Sequence, residues 1–265
     1  MLYVIDHRTG AALDAHVLGE GESLLLVQGM AGHRGLWGDP FVERLAREHE
    51  VIAYDHRGVA ESSPADAPFT IADLADDALA LLDAVGRESA HVVGISMGGM
   101  VAQEMALRAP DRIRSLLLGC TTAGGPDAFG APGPGRLLEA MASGDRDRAT
   151  RVAFEVNVSP GFAARPGELE RFQTASLSRR VPVPVIRLQA AAAFGHDARD
   201  RLASVTVPTL VVHGELDEMI LATEGSALAA AVPGARLASW PDAGHLFWWE
   251  KPVEAAALVL EHLGR

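Results

Sequence analysis

The chain has 265 residues, 48% of them apolar and 22% charged, which is ordinary globular usage and unlike that of disordered, collagen-like or coiled-coil chains. Its 23 basic and 35 acidic side chains leave a formal charge of −12; so acidic a surface repels phosphate backbones and anionic headgroups, which disfavours nucleic-acid and membrane-surface functions. The single cysteine, Cys120, excludes an intrachain disulfide and a Cys-x-x-Cys pair, and suggests a reducing cytoplasm.

The first ten residues carry Asp6, His7 and Arg8 and no apolar stretch of signal-peptide length. A short strand pair is expected at 2–5 and 13–18, followed by strands at 23–28, 50–54, 91–95, 113–118, 208–213 and 235–240. Blocks such as Leu24-Leu25-Leu26-Val27 and Leu210-Val211-Val212 do not alternate polar with apolar, as expected of parallel strands covered on both faces. Between strands, Leu74, Ala78, Leu81, Leu82 and Val85 step by three and four while Asp73, Asp76, Asp77 and Asp83 fall elsewhere, the mark of an amphipathic helix. Strand–helix alternation of this kind predicts an α/β fold, a doubly wound, mostly parallel sheet flanked by helices. The alternation breaks at 124–136, where five Gly and three Pro occur, a composition that continues neither helix nor strand. Helical fragments follow to about Leu202 before the strand pattern returns at Val205. We therefore expect one unit, with residues 1–120 and 205–265 as core and 121–204 as a helical insertion over the end of the sheet. The longest apolar runs, such as 255–260, are far too short for a membrane span.

The chemistry-bearing signal is Gly94-Ile95-Ser96-Met97-Gly98, directly after one expected strand and before a helix at 100–108. So tight a turn strains its apex and exposes the Ser96 hydroxyl, while the glycines let neighbouring backbone clear. A serine hydroxyl needs a base, and the base a carboxylate to orient it. Of the ten histidines, His245 lies in the turn-rich Asp242-Ala243-Gly244-His245 loop and is assigned as base, whereas His213 ends a strand and is expected to pack. The loop after that strand offers Glu215, Asp217 and Glu218; Asp217 is preferred, Glu215 lying too near the strand and Asp242 too near His245, where it shapes the loop. Acyl chemistry also requires amide donors for the oxyanion, expected from Met97 at the helix start and Met30 in Gln28-Gly29-Met30-Ala31-Gly32. His33 and His56 read as solvated loop histidines, and Trp240, Trp248 and Trp249 as packing around the His245 loop. No Gly-x-x-x-x-Gly-Lys or Gly-x-Gly-x-x-Gly pattern occurs; neither cofactor nor metal is expected.

Gln28-Gly29 followed by Trp37, the segment Tyr54-Asp55-His56-Arg57-Gly58-Val59-Ala60-Glu61-Ser62, the Ser96 turn, His213-Gly214 with Asp217, and Gly244-His245 together resemble the α/β-hydrolase superfamily over nearly the whole chain. The wording is nearest to its enol-lactonase and small-molecule carboxylesterase branch. The resemblance implies an eight-stranded sheet with a helical cap inserted after strand six, and makes Asp55 and Arg57 organisers of a loop near the site. Gln28 stands where the family usually has histidine, so support for the oxyanion loop must differ here, and Ala60 stands where glycine is common. The activity it implies is cofactor-free hydrolysis of a small-molecule ester or lactone through an acyl-enzyme on Ser96, Asp217 and His245. Non-hydrolytic acyl transfer, cyclisation or cofactor-free oxidation at the same triad is the alternative, and a ligand-binding receptor on the same scaffold a third. Trp37, Phe129, Phe154, Phe162 and Phe194 are candidates for an apolar substrate pocket.

Overall fold

The computed structural model describes residues 1–125 and 128–264; Pro126 and Asp127, in the Gly/Pro-rich interruption, and Arg265 lie outside the described residues. Eight strands form one sheet: β1 Leu2–Asp6, β2 Ala11–Leu18, β3 Glu22–Val27, β4 His49–Tyr54, β5 Ala90–Ile95, β6 Ile113–Gly119, β7 Thr209–Gly214 and β8 Arg236–Trp240. Their order is β1-β2-β4-β3-β5-β6-β7-β8. β2 runs antiparallel to both β1 and β4, and every pairing from β4 to β8 is parallel. β3, β5 and β7 carry no polar alternation because both faces are covered, whereas edge strand β8 alternates half-buried with exposed residues.

The connecting helices are α1 Asp39–Leu45, α2 Ile71–Ala84, α3 Met97–Arg108, α9 Ala222–Ala231, α10 Phe247–Glu250 and α11 Pro252–Leu263, with α4 Pro132–Ala142, α5 Arg146–Glu155, α6 Pro160–Ala163, α7 Glu168–Leu177 and α8 Val183–Phe194 all between β6 and β7. α2 starts where Thr70 and Asp73 form a reciprocal capping box, which satisfies two amides that the first turn leaves unpaired. Its buried stripe, Ile71, Leu74, Ala78, Leu81 and Leu82, joins α3 and one face of the sheet in a single cluster. The sequence pattern placed Asp77 off that stripe, but it is buried and takes a bidentate ion pair from Arg57 at 2.6 and 2.7 Å. On the opposite face Trp37, Phe41, Trp248, α1 and α11 enclose the second cluster. None of the described helices is long and apolar enough to cross a membrane.

Ionic contacts tie the inserted helices to the core. Asp55 is fully buried and accepts from the Arg34 amide at 2.6 Å and from Arg179 Nε, in the α7–α8 connection, at 2.8 Å; Arg179 also pairs with Asp14. His33 and His56, read as solvated, are instead 1% exposed, and each ring donates to a backbone carbonyl: His33 Nε2 to Ser176 O at 3.3 Å and His56 Nε2 to Gln28 O at 3.0 Å.

That burial has a thermodynamic consequence. Desolvation holds the pKa of His33, His56 and His196 below the ordinary imidazole value, so the folded protein takes up protons at lower pH than the unfolded chain. Stability conferred by these neutral rings is present above about pH 6.5 and lost as the pH falls through and below it. We expect the melting temperature to decline from pH 7 to pH 5, with a shallower decline for His56→Gln; a profile flat over that range would contradict the assignment.

Candidate active site

Four loops at the carboxyl ends of β3, β5, β7 and β8 build the site, beside the point where the chain reverses its direction of winding between β3 and β5, the usual position of a ligand crevice in such sheets. Ser96, between β5 and α3, has φ +53° and ψ −125°, a sparsely populated positive-φ conformation that costs a non-glycine residue roughly 1–3 kcal/mol. Its surroundings over-determine it. The Ser96 amide donates to Gly119 O at 2.9 Å, and its carbonyl accepts from Thr121 Oγ1 at 2.7 Å and from the Gly99 amide at 2.9 Å. A Cβ on Gly94 would stand 2.3 Å from Gly98 O, and one on Gly98 2.1 Å from Val27 O, so the turn closes only with glycine at both positions. Gly29 lies against Ser96, its missing Cβ 3.0 Å from Ser96 Cβ and 3.5 Å from Oγ.

His245 and Asp217 meet across two loops. His245 Nδ1 donates to Asp217 Oδ2 at 2.7 Å, and both residues are buried. The approach of those loops depends on Gly214, whose Cβ would lie 2.4 Å from both Ala243 O and Gly244 O. Because a carboxylate only accepts, Nδ1 carries the proton and Nε2 is left to accept one. Asp217 Oδ1 receives the amides of Met219 at 2.7 Å and Ile220 at 3.0 Å. Burial raises its pKa, but the attraction of His245 and the hydrogen bonds from His213 and His245 outweigh burial and hold the carboxyl well below its usual range. Glu215 is exposed, and Asp242 pairs at the surface with Lys251 at 2.5 Å; neither reaches the ring. Among the described residues, no hydrogen bond joins Ser96 Oγ to His245, a link that often tightens only with substrate in place.

In the loop after β3, Gly29 N donates to Gln28 Oε1 at 3.1 Å, Ala31 N to Gln189 Oε1 at 2.9 Å, and Gly32 N to Gly29 O at 3.2 Å. Among the described residues, neither the Met30 amide nor the Met97 amide at the start of α3 has an acceptor among the turn and loop bonds. Gln28 therefore supports the loop with its own carboxamide, helped by His56 on its carbonyl.

The five aromatic candidates pack against other rings. Trp37 is 1% exposed and packs between Phe41 and Trp248 in the core, at centroid distances of 5.7 and 5.4 Å. Phe154 and Phe162 sit in a third cluster with Val158 and Phe172, which Trp249 of α10 joins. Phe129 and Phe194 pack on each other at 4.6 Å, with Phe194 largely in solvent. Met30, beside Gly29 in the same loop, is 38% exposed.

His213 packs as expected: it is fully buried and its Nε2 lies 2.9 Å from Ile220 O and 3.3 Å from Asp217 Oδ2, so Asp217 is flanked by two imidazoles. Gln189, the lone polar residue in the apolar run 188–194, and Glu250, after Trp248-Trp249, reach the site loops from α8 and α10; an isolated polar residue among apolar neighbours was the available signal. Cys120 Sγ, His213 and Asp217 offer three donor atoms within 4.8 Å, a set resembling a metal centre. Their donors are engaged otherwise: Asp217 by two amides and His245, His213 by Ile220 O, while burial pushes the Cys120 thiol pKa up and keeps it protonated.

A family model described as alpha/beta hydrolase fold matches residues 22–252. A putative carbamate hydrolase RutD from Azorhizobium caulinodans is 33% identical over 244 residues, 91% of each chain. The crystal structure of a hydrolase from Pseudomonas aeruginosa PA01 has a TM-score of 0.84 at 32% identity, covering 100% of this chain and 98% of that one. The enol-lactonase from Burkholderia xenovorans LB400 has a TM-score of 0.83 at 25% identity, covering 97% and 98%.

Proposed function

The chain belongs to the α/β-hydrolase family, and from that premise we propose that it is a cofactor-free serine hydrolase of a small-molecule carboxylic ester or lactone. The observation that carries this reading is the 2.7 Å bond between His245 Nδ1 and Asp217 Oδ2 at the same carboxyl end of the sheet as the strained Ser96 turn.

Ser96 Oγ bonds to the substrate carbonyl carbon as its proton passes to His245 Nε2. The carbonyl oxygen becomes an oxyanion held by the amides of Met30 and Met97, and Asp217 keeps the ring in the tautomer that accepts and then stabilises its positive charge. Collapse breaks the bond to the leaving alkoxide, which takes the proton from His245. Water then attacks the acyl-enzyme, loses its proton to His245 and releases the acid, and the proton returns to Ser96. In a lactone the leaving alcohol stays attached to the acyl group. Residues 121–204 act as a cap on the core formed by 1–120 and 205–265, and the one buried cysteine suits a cytoplasmic location.

Intact-mass spectrometry after treatment with a fluorophosphonate, followed by turnover of esters, lactones and carbamates, tests the reading. We expect one adduct, on Ser96, and turnover of esters or lactones. A modified side chain other than Ser96, or turnover confined to carbamates, would overturn it.

A further inference from the structure

We propose that the inserted helices complete the catalytic machinery: Gln189 and Glu250 are positioning residues through which the seating of the insertion fixes the Met30 amide and the His245 ring. The proposal rests on the serine-hydrolase reading above. Neither residue touches the reacting atoms in that mechanism.

At the oxyanion loop, the peptide plane between Gly29 and Met30 carries the free N–H. It is pinned on both sides, by Gln28 Oε1 on the Gly29 amide and by Gln189 Oε1 on the Ala31 amide. Ala31 holds φ +58°, an unfavourable value for alanine and therefore one that needs an external tether. Gln189 supplies it from α8, 158 positions along the chain, and is itself 0% exposed. A backbone amide only donates, so the carboxamide oxygen is held toward the loop. Without that oxygen, Ala31 can relax and the Met30 N–H can turn from its position.

At the base, both neighbours of His245 are tied to residues 157–159, Leu246 directly and Gly244 through Glu250. Leu246 N donates to Asn157 O at 2.8 Å. Gly244 N donates to Glu250 Oε1 at 2.7 Å, and the same oxygen accepts from Ser159 N at 3.0 Å while Oε2 accepts from Ser159 Oγ at 2.5 Å. Glu250 is buried, so its removal would strand two amide donors away from water. Gly244 also lies flat against this segment, its Cβ position 2.7 Å from Val158 C and 2.8 Å from Ser159 N. The segment joining α5 to α6 and the His245 loop thus move as one body. Displacement of a catalytic group by about 1 Å costs on the order of 100-fold in rate.

The test compares kcat and KM of Gln189→Met, Glu250→Ala and Glu250→Gln on p-nitrophenyl butyrate, with rates normalised to the Ser96 sites titrated by a fluorophosphonate. Gln189→Met keeps the length and loses the acceptor; Glu250→Gln keeps an oxygen for both amides. We expect kcat to fall 10- to 100-fold in Gln189→Met and Glu250→Ala with KM within about threefold. Glu250→Gln should restore kcat to within about threefold of wild type. Since the two clasps act on different groups, their effects should multiply in the double variant. Unchanged kcat per titrated site in Gln189→Met and Glu250→Ala, with only the number of titratable sites reduced, would overturn the proposal while leaving the hydrolase reading intact. If Glu250→Ala does not fold, Gln189→Met decides by the same criterion. A wild-type protein unlabelled at Ser96 would overturn both readings.

Discussion

Replacing Ser96 by Ala is expected to lower kcat for an ester substrate by something on the order of 10⁴–10⁶-fold while leaving the protein folded. The methyl group of Ala fits the space of the serine Cβ. The backbone bonds that fix the turn, from Ser96 N to Gly119 O and from Thr121 Oγ1 to Ser96 O, involve no side-chain atom of residue 96. Stability should therefore change little, the strained φ being no worse for Ala than for Ser. Residual turnover would come from the oxyanion amides and from binding, with water as the nucleophile. The measurement is kcat by a continuous ester assay beside a thermal melt. A loss below tenfold with the melt unchanged would exclude covalent catalysis at this residue.

The second large effect is expected from Asp217→Asn, a loss on the order of 10³–10⁴-fold. The reason lies in the two oxygens. Oδ1 accepts two backbone amides, from Met219 and Ile220, and Oδ2 accepts from His245. In the variant, the carboxamide oxygen must occupy the Oδ1 position, since an NH₂ there would oppose two N–H donors. The NH₂ then faces His245 Nδ1 and donates to it, which drives the ring proton to Nε2, the nitrogen that must accept from Ser96. The geometry survives and the tautomer is wrong. Asp242→Asn, which disturbs only a surface pair with Lys251, should keep kcat within about twofold; a larger loss there than in Asp217→Asn would reassign the acid.

Much of the fold and part of the site were legible in the order of residues because the governing physics is local. Strand and helix periodicity follows from which side chains must leave water, so the eight strands and the amphipathic α2 could be placed within a few residues. The Ser96 turn was legible for the same reason: small residues on both sides of a strained apex are a steric requirement between residues four apart, Gly94 and Gly98. The ring packing of the five aromatic pocket candidates and the burial of the two histidines read as solvated were not legible. Their environments depend on partners far along the chain, such as Trp248 on Trp37, or Gln28 O for His56.

By itself, then, the order of residues determined the alternation of elements, the strained serine at the end of β5 and a short set of carboxylates and imidazoles in the loops after β7 and β8. Only the tertiary structure decided which carboxylate reaches which imidazole, that Asp217 is shared by His245 and His213, and that Gln189 and Glu250 bind the inserted helices to the loops beneath them. Local sterics and periodicity act within a few residues and can be read in one dimension. A hydrogen bond between positions 31 and 189, or 159 and 250, exists only because two loops and a helix were brought together by burying the clusters on either face of the sheet.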